Sequence, residues 1–216
     1  MIRAVIFDMD GVLTDSEKLG VSLTCETARE MGFEIPESVV LRTLGITWAA
    51  SEALYNGLYP GLDVQEMFRR IREKLVSLGG AGKIPLMKGV NRILDTLDQL
   101  GIPRAVASSS GPETIRVYLE GAGIYDRFDR VVSGNECARS KPAPDIFLLA
   151  AERLGEKPEN CLVVEDSPSG VRAGRAAGMT VCMVPDLAPC TEELRPYCDL
   201  VLPSLDDLAD RLTAKA

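Results

Sequence analysis

The chain contains no histidine. That single absence removes Ser/His and Cys/His catalytic pairs together with the usual zinc ligand sets. Six cysteines are present, Cys25, Cys137, Cys161, Cys182, Cys190 and Cys198, but none form a C-x-x-C pair. Cys161 and Cys182 sit inside apolar strand-like runs, so reduced, structural thiols are expected rather than zinc ligands or disulfides. No Lys/Arg run interrupts a net charge of -8, which opposes attraction to nucleic acid or to anionic membranes. Neither is expected as a partner. No 18-residue apolar run occurs, and the N-terminus enters "IRAVIF" without a basic leader and cleavage site. A cytoplasmic, soluble and monomeric protein is the expectation. Phosphate-loop and dinucleotide signatures are missing too. "SLGGAGK" at 77–83 fails the G-x-x-x-x-G-K-[ST] spacing and reads as a flexible connector, and "GAGIYD" from 121 lacks a third glycine and reads as a helix end.

What the 216 residues do contain is an alternation. Short apolar runs, "RAVIF" (3–7), "PRAVA" (103–107), "RVV" (130–132), "CLVV" (161–164) and "TVCMV" (180–184), are each followed by turn chemistry, and helical patterns recur between them. Helices are predicted from Val90 to near Gly101, from Pro112 to Glu120 and from Pro144 to Leu154. This is the pattern of an α/β fold, a Rossmann-like parallel sheet with helices on both faces. Residues 15–82 break the rhythm with helical periodicity and no strand. Val64, Met67, Phe68, Ile71, Leu75 and Leu78 form one apolar face, leaving Arg69, Arg70, Arg72 and Lys74 as a solvated one. The expected organisation is therefore a core of 1–14 and 83–216 with an all-helical cap domain of 15–82 inserted after the first strand. Sites in open α/β sheets lie beyond the carboxyl ends of the strands, so such an insertion covers the site as a lid.

Four of those strand ends carry reactive groups. Asp8 and Asp10 follow the first strand in "AVIFDMDGVLTDSE", where Gly11 permits a sharp departure and Thr14 or Asp15 is expected to cap the next helix. "ASSSGPE" follows the second: Ser110 reads as an N-cap with Glu113 closing a capping box, which leaves Ser108 and Ser109 free to hold phosphate oxygens. "SKPAPDIF" places Lys141 before a helix, and "EDSPSG" places Glu165 and Asp166 at the end of a buried strand, with Ser167 and Pro168 opening a helix that Gly178 ends. Four carboxylates against one lysine leave three negative charges. A hard divalent cation such as Mg²⁺ and one proton on Asp10 would neutralise them. A carboxylate nucleophile, a second carboxyl, a hydroxyl, a lysine and a metal site together make a kit for phosphoryl transfer through an aspartyl-phosphate.

"DMDGVLTDSE", Ser108 of "VASSS", Lys141 of "SKPAPDIF" and "EDSPSG", in that order and with a helical insertion between the first two, resemble the haloacid dehalogenase superfamily. The likeness is to the branch holding phosphoglycolate phosphatase, sugar-phosphate phosphatases and β-phosphoglucomutase, and it spans essentially the whole chain. It implies that Asp8 attacks phosphorus and that Asp10 protonates the leaving oxygen, then activates water. It further implies that Mg²⁺ is held by Asp8, the Asp10 main-chain carbonyl and Asp166 with Glu165 in support, that Ser108 and Lys141 hold the transferring oxygens, and that the insertion is the family's cap.

Within that branch, Asp10 argues against metal-free dehalogenases and, despite Lys18 near the cap entrance, against Schiff-base phosphonate cleavage. Mutase relatives carry a cap histidine and a cap-loop arginine. At those places this chain has Gly20, in "SEKLG", and Thr47 with Trp48, in "LGITWAASE". Thr47 and Trp48 are the candidate substrate contacts of that loop, with Arg42 upstream. A phosphatase acting on a small phosphorylated metabolite is the expected function, a phosphosugar mutase its alternative. A non-enzymatic phosphate or partner sensor is the third reading, although a sensor should have lost one of the core residues and none is missing.

Overall fold

A computed structural model describes residues 2–44 and 48–214. β1 (Ala4–Phe7) leads into four helices, with no strand between them among the described residues: α1 (Ser16–Glu30), α2 (Glu37–Val40), α3 (Trp48–Leu58) and α4 (Val64–Gly80). The α/β alternation then follows: α5 (Val90–Leu100), β2 (Arg104–Ser108), α6 (Pro112–Gly121), β3 (Arg130–Ser133), α7 (Asp145–Leu154), β4 (Cys161–Glu165), α8 (Pro168–Ala176) and β5 (Thr180–Met183). The chain finishes on β6 (Leu200–Val201) and α9 (Leu205–Thr213). The strands form one six-stranded sheet in the order β3-β2-β1-β4-β5-β6, every pair parallel. All five apolar runs are strands, and β6 is a further one that two residues are too few to announce.

Both faces of the sheet are buried, as a parallel sheet requires. Val5 and Phe7 of β1 face the side covered by α5, α6 and α9, while Ala4 and Ile6 face α7 and α8. Small side chains on that second side, Ala4, Ala105 and Ala107, let Phe147 of α7 come close. The helical insertion has its own apolar centre around Val21, Ala28, Tyr55, Met67 and Ile71. Arg69, Arg70 and Lys74 point away from it and pair with Glu66, Glu73, Glu26 and Glu30, so these cations are a solvated face. No helix among the described residues is long and apolar enough to cross a membrane.

The "SLGGAGK" stretch corrects the expectation of a loose connector. Ser77 to Gly80 are the last turn of α4, and the glycines serve close packing. A Cβ on Gly79 would lie 2.5 Å from the Tyr118 ring, and one on Gly121 would lie 1.9 Å from the Gly79 carbonyl oxygen. The two glycines therefore let α4 and α6 touch backbone to backbone, which fixes the insertion against the core.

Gly20 is different, because it lies inside α1 and nothing stands within 4 Å of a Cβ built there. Gly20→Ala is expected to stabilise the protein by about 0.5–1 kcal/mol, read as a higher urea midpoint at unchanged slope.

Candidate active site

The carboxyl edge of the sheet gathers residues from four strand ends. Asp8 leaves β1 with its N–H donating to the Val164 carbonyl at 2.9 Å, so its position is locked to β4 next door. Lys141 reaches in from the loop before α7. Its Nζ donates to Asp8 Oδ1 at 2.5 Å, to Glu165 Oε1 at 2.7 Å and to the Ala107 carbonyl at 3.2 Å. All three of its ammonium donors are used, and its side chain is 6% exposed, so it works as a fixed buried charge. Burial alone would lower its pKa, but the Asp8 and Glu165 carboxylates outweigh that and hold it above the ordinary lysine value.

Glu165 is fully buried at the end of β4 and completely engaged. Its second oxygen accepts from the Asp166 N–H (3.0 Å), the Ser167 N–H (3.0 Å) and the Ser167 hydroxyl (2.9 Å). The Ser167 hydroxyl also accepts from the Gly170 N–H at 3.1 Å, capping α8 as expected. Glu165 thus ties Lys141 to the start of α8.

Asp10 lives in a separate environment. Its Oδ1 accepts from the Ser16 hydroxyl at 2.5 Å, and its Oδ2 accepts from the Ser110 hydroxyl at 3.2 Å and the Ser108 hydroxyl at 3.5 Å. Burial raises its pKa, and the three hydroxyls and Lys141 oppose the rise. Asp8 is pushed up to about 8, first by burial and then by the charges of Glu165 and Asp10, with Lys141 opposing. Two carboxyls two residues apart therefore face different partners, a cation for one and hydroxyls for the other.

Oxygen atoms of Asp8, Glu165 and Asp166 lie within 4.8 Å of one another, and all three residues are buried. Burial, followed by the Glu165, Glu17 and Asp8 charges, holds Asp166 well above its ordinary pKa. Such a cluster is short of positive charge, and an all-oxygen donor set suits a hard ion. Gly11 shapes the space: at φ +77° it has no Cβ, and one there would lie 2.4 Å from Asp166 Oδ2. The residues present fit a Mg²⁺-type cation, though the Asp10 carboxylate lies outside the cluster.

Of the expected site residues, Asp8, Asp10, Ser108, Lys141, Glu165 and Asp166 come together. Ser109 is exposed on the wall of a small cavity beside Lys141. Thr47 lies outside the described residues, as does the Trp48 side chain, whose main chain begins α3. Two capping expectations are corrected. Gly111, not Ser110, occupies the N-cap of α6, because the Ser110 hydroxyl is spent on Asp10. Asp15 is at the N-cap of α1 but makes no side-chain cap bond and instead accepts from Lys18 at 3.3 Å, while the Thr14 hydroxyl turns back to Met9.

Sequence reasoning missed Ser16, Glu17 and Asp186. Ser16 opens the first helix, so a hydroxyl six residues after Asp10 had a geometric reason to return to it. Asp186 follows "TVCMV", the same acid-after-strand signal that marked Asp8 and Glu165.

Comparison with known proteins agrees with this geometry. Residues 2–178 match the family model of haloacid dehalogenase-like hydrolases. The chain is 34% identical over 209 residues to a Drosophila melanogaster protein described as "Probable pseudouridine-5'-phosphatase", covering 94% of this chain and 89% of that one. It is 31% identical over 210 residues to hexitol phosphatase B of Escherichia coli (strain K12), covering 96% and 94%. The crystal structure of β-phosphoglucomutase from Clostridium difficile superposes with a TM-score of 0.76 at 27% identity, covering 100% of this chain and 96% of that one. With a family match over most of its length and a relative 34% identical over nearly all of it, the chain belongs to the haloacid dehalogenase-like hydrolases.

Proposed function

We propose that the protein is a Mg²⁺-dependent phosphatase that hydrolyses a small phosphomonoester, of sugar-phosphate or phosphoglycolate type, through a phosphorylated Asp8. The observation that carries this reading is the division of labour between the two aspartates: Asp8 pinned by Lys141, Asp10 held apart by three hydroxyls. The carboxylate oxygen of Asp8 not engaged by Lys141 attacks phosphorus, and the P–O bond to the leaving alcohol breaks. Asp10, whose raised pKa favours the protonated form, gives its proton to that oxygen. Asp10 then takes a proton from water as the water's oxygen displaces the Asp8 carboxylate from phosphorus, regenerating both acids. Lys141 and Ser108 hold the transferring oxygens, with Ser109 beside them.

Asp8, Asp166 and the Asp10 main-chain carbonyl would hold Mg²⁺, with Glu165 in support, and the ion would supply charge neutralisation for the phosphoryl oxygens. Residues 15–82 act as the cap that excludes bulk water, with Thr47 and Trp48 in its substrate loop. The names of the relatives support a phosphorylated metabolite as substrate. A cytoplasmic monomer needing no nucleic acid or membrane suits this role.

A mutase has a structural neighbour on its side. Gly20, however, leaves no side chain to move a proton at the start of the first cap helix.

Purified protein with Mg²⁺ is expected to release inorganic phosphate from a panel of sugar phosphates, phosphoglycolate and nucleotides, and to stop when EDTA is added. Silence across the panel would sink the reading. Conversion of β-glucose 1-phosphate to glucose 6-phosphate after bisphosphate priming would replace it with a mutase. Absence of any Asp8-centred metallofluoride adduct would favour a sensor.

A further inference from the structure

The carboxyl end of β3 lies beside the site, although none of the residues given a part in the chemistry belongs to that strand. Parallel register sets Ser133 of β3 opposite Ser108 of β2, so neighbouring strands end on serines at the same edge of the sheet. Ser133 is buried and caps a short helical turn, Gly134–Glu136. Its hydroxyl accepts from the Asn135 N–H at 3.2 Å, and its own N–H donates to Glu136 Oε1 at 2.9 Å. That capping box uses the hydroxyl oxygen as an acceptor. It makes no use of the hydroxyl proton.

The proton is spent across the strand boundary instead. Ser133 Oγ donates to the Ser110 carbonyl at 2.7 Å, and the Ser110 N–H donates to Ser108 Oγ at 3.1 Å. The Ser110 main chain is thus held on both of its polar atoms. Its side-chain hydroxyl donates to Asp10 Oδ2 at 3.2 Å, and the Ser108 hydroxyl reaches the same oxygen at 3.5 Å. Gly134 allows the two loops to lie this close, since a Cβ there would stand 3.1 Å from the Ser109 Cα. The turn is anchored from behind by α7, where Arg153 pairs with Glu136 at 2.6 Å.

We propose that Ser133 is a positioning residue for Asp10, acting through Ser110. Its hydroxyl proton fixes the Ser110 main chain, which keeps the Ser110 hydroxyl on Asp10 Oδ2 and so aims the carboxyl at the leaving oxygen. This rests on the reading of Asp10 as the acid of the phosphatase reaction and names what aims it. The proton passes from Asp10 to the ester oxygen as the bond from that oxygen to phosphorus breaks and the bond from Asp8 to phosphorus forms. A leaving group that departs as a stable anion needs that proton little, whereas a basic one needs it most. Geometry lost at Asp10 therefore shows as a dependence on the leaving group.

The test is kcat/KM for p-nitrophenyl phosphate and phenyl phosphate, two aryl esters of similar shape whose leaving groups differ in basicity. This ratio covers the steps through phosphorylation of Asp8 and omits hydrolysis of the intermediate, where Asp10 would act on both esters alike. Ser133→Ala is expected to lose about tenfold with phenyl phosphate and no more than about twofold with p-nitrophenyl phosphate, a part of what general acid catalysis supplies. Ser133→Thr, which keeps both uses of the hydroxyl, should restore the wild-type ratio. Ser110→Ala should show the same signature, and adding Ser133→Ala to it should cost less than about twofold more. Glu136→Ala opens the capping box but spares the Ser133 hydroxyl, so it should lower Tm and leave the ratio of the two esters within about twofold of wild type.

Should Ser133→Ala fail to fold, Ser133→Cys keeps the shape with a weak donor and is read by the same ratio. Equal losses with both esters, full additivity with Ser110→Ala, or a ratio that Glu136→Ala moves as far as Ser133→Ala would overturn the proposal and leave Ser133 a structural cap. So would a wild type that cleaves only p-nitrophenyl phosphate. No phosphate release from either ester by wild type instead overturns the phosphatase reading.

Discussion

Asp8→Asn is expected to cost at least about a thousandfold in phosphate release, because an amide cannot form the proposed phosphorylated intermediate, which would split the barrier in two. The same variant should report on charge balance. In the metal-free protein the Asp8 carboxyl is raised from 3.8 to about 8, so between those values the folded state binds a proton that the unfolded state does not. Stability from this group is present at low pH and is lost as pH rises through that window. Asparagine imitates the protonated acid. In EDTA, wild type should therefore lose thermal stability between about pH 5 and pH 8 more steeply than Asp8→Asn does. Mg²⁺ should raise the wild-type Tm most at the alkaline end, where the ion no longer competes with protons for the carboxylates. Differential scanning fluorimetry across pH, with and without Mg²⁺, reads both effects. Parallel pH profiles for the two proteins in EDTA would show that Asp8 is not the group under electrostatic stress.

How far the sequence could be read follows from how local each signal is. "AVIF", "CLVV" and "TVCMV" are apolar enough to be buried on both faces, and each is followed by polar residues that can only sit at the sheet's edge, so strand order along the chain and the position of Asp8 and Glu165 were legible. Ser110 was not, because "SSSGPE" has local capping chemistry that is correct in kind. What overrides it is Asp10, 100 residues away in sequence, which claims the hydroxyl. Gly79 misled for the same reason. Glycine in isolation signals flexibility, while here Gly79 and Gly121 each make room for the other's backbone across a helix contact 42 residues apart in the chain. Local propensity thus exposed the row of carboxylates at the sheet edge. Contacts made by tertiary packing decided what surrounds it.

Gly170 shows the same principle at its most severe and supplies the second large effect. It is the third residue of α8, directly under the Glu165 carboxylate, and a Cβ there would lie 1.7 Å from Glu165 Oε1 and 1.9 Å from its carboxyl carbon. Neither side can give way cheaply. Glu165 is fully buried, one oxygen accepts from two main-chain N–H groups and the Ser167 hydroxyl, and the other holds Lys141. Gly170→Ala must either push the carboxylate off Lys141 or pull the start of α8 away from Asp166. Overpacking of this kind costs about 1–3 kcal/mol, and displacing a group that orients metal and phosphate ligands costs about 10- to 100-fold in activity or metal affinity. The expected result is a lower Tm, a Mg²⁺ requirement shifted to higher concentration, and a kcat reduced by about a hundredfold. Glu165→Gln separates the steric effect from the electrostatic one: it keeps the shape but weakens the tie to Lys141, and it should lose activity with a smaller loss of stability. A Gly170→Ala protein with wild-type Mg²⁺ dependence and wild-type kcat would show that Glu165 has no part in holding Lys141 and Asp166 in place.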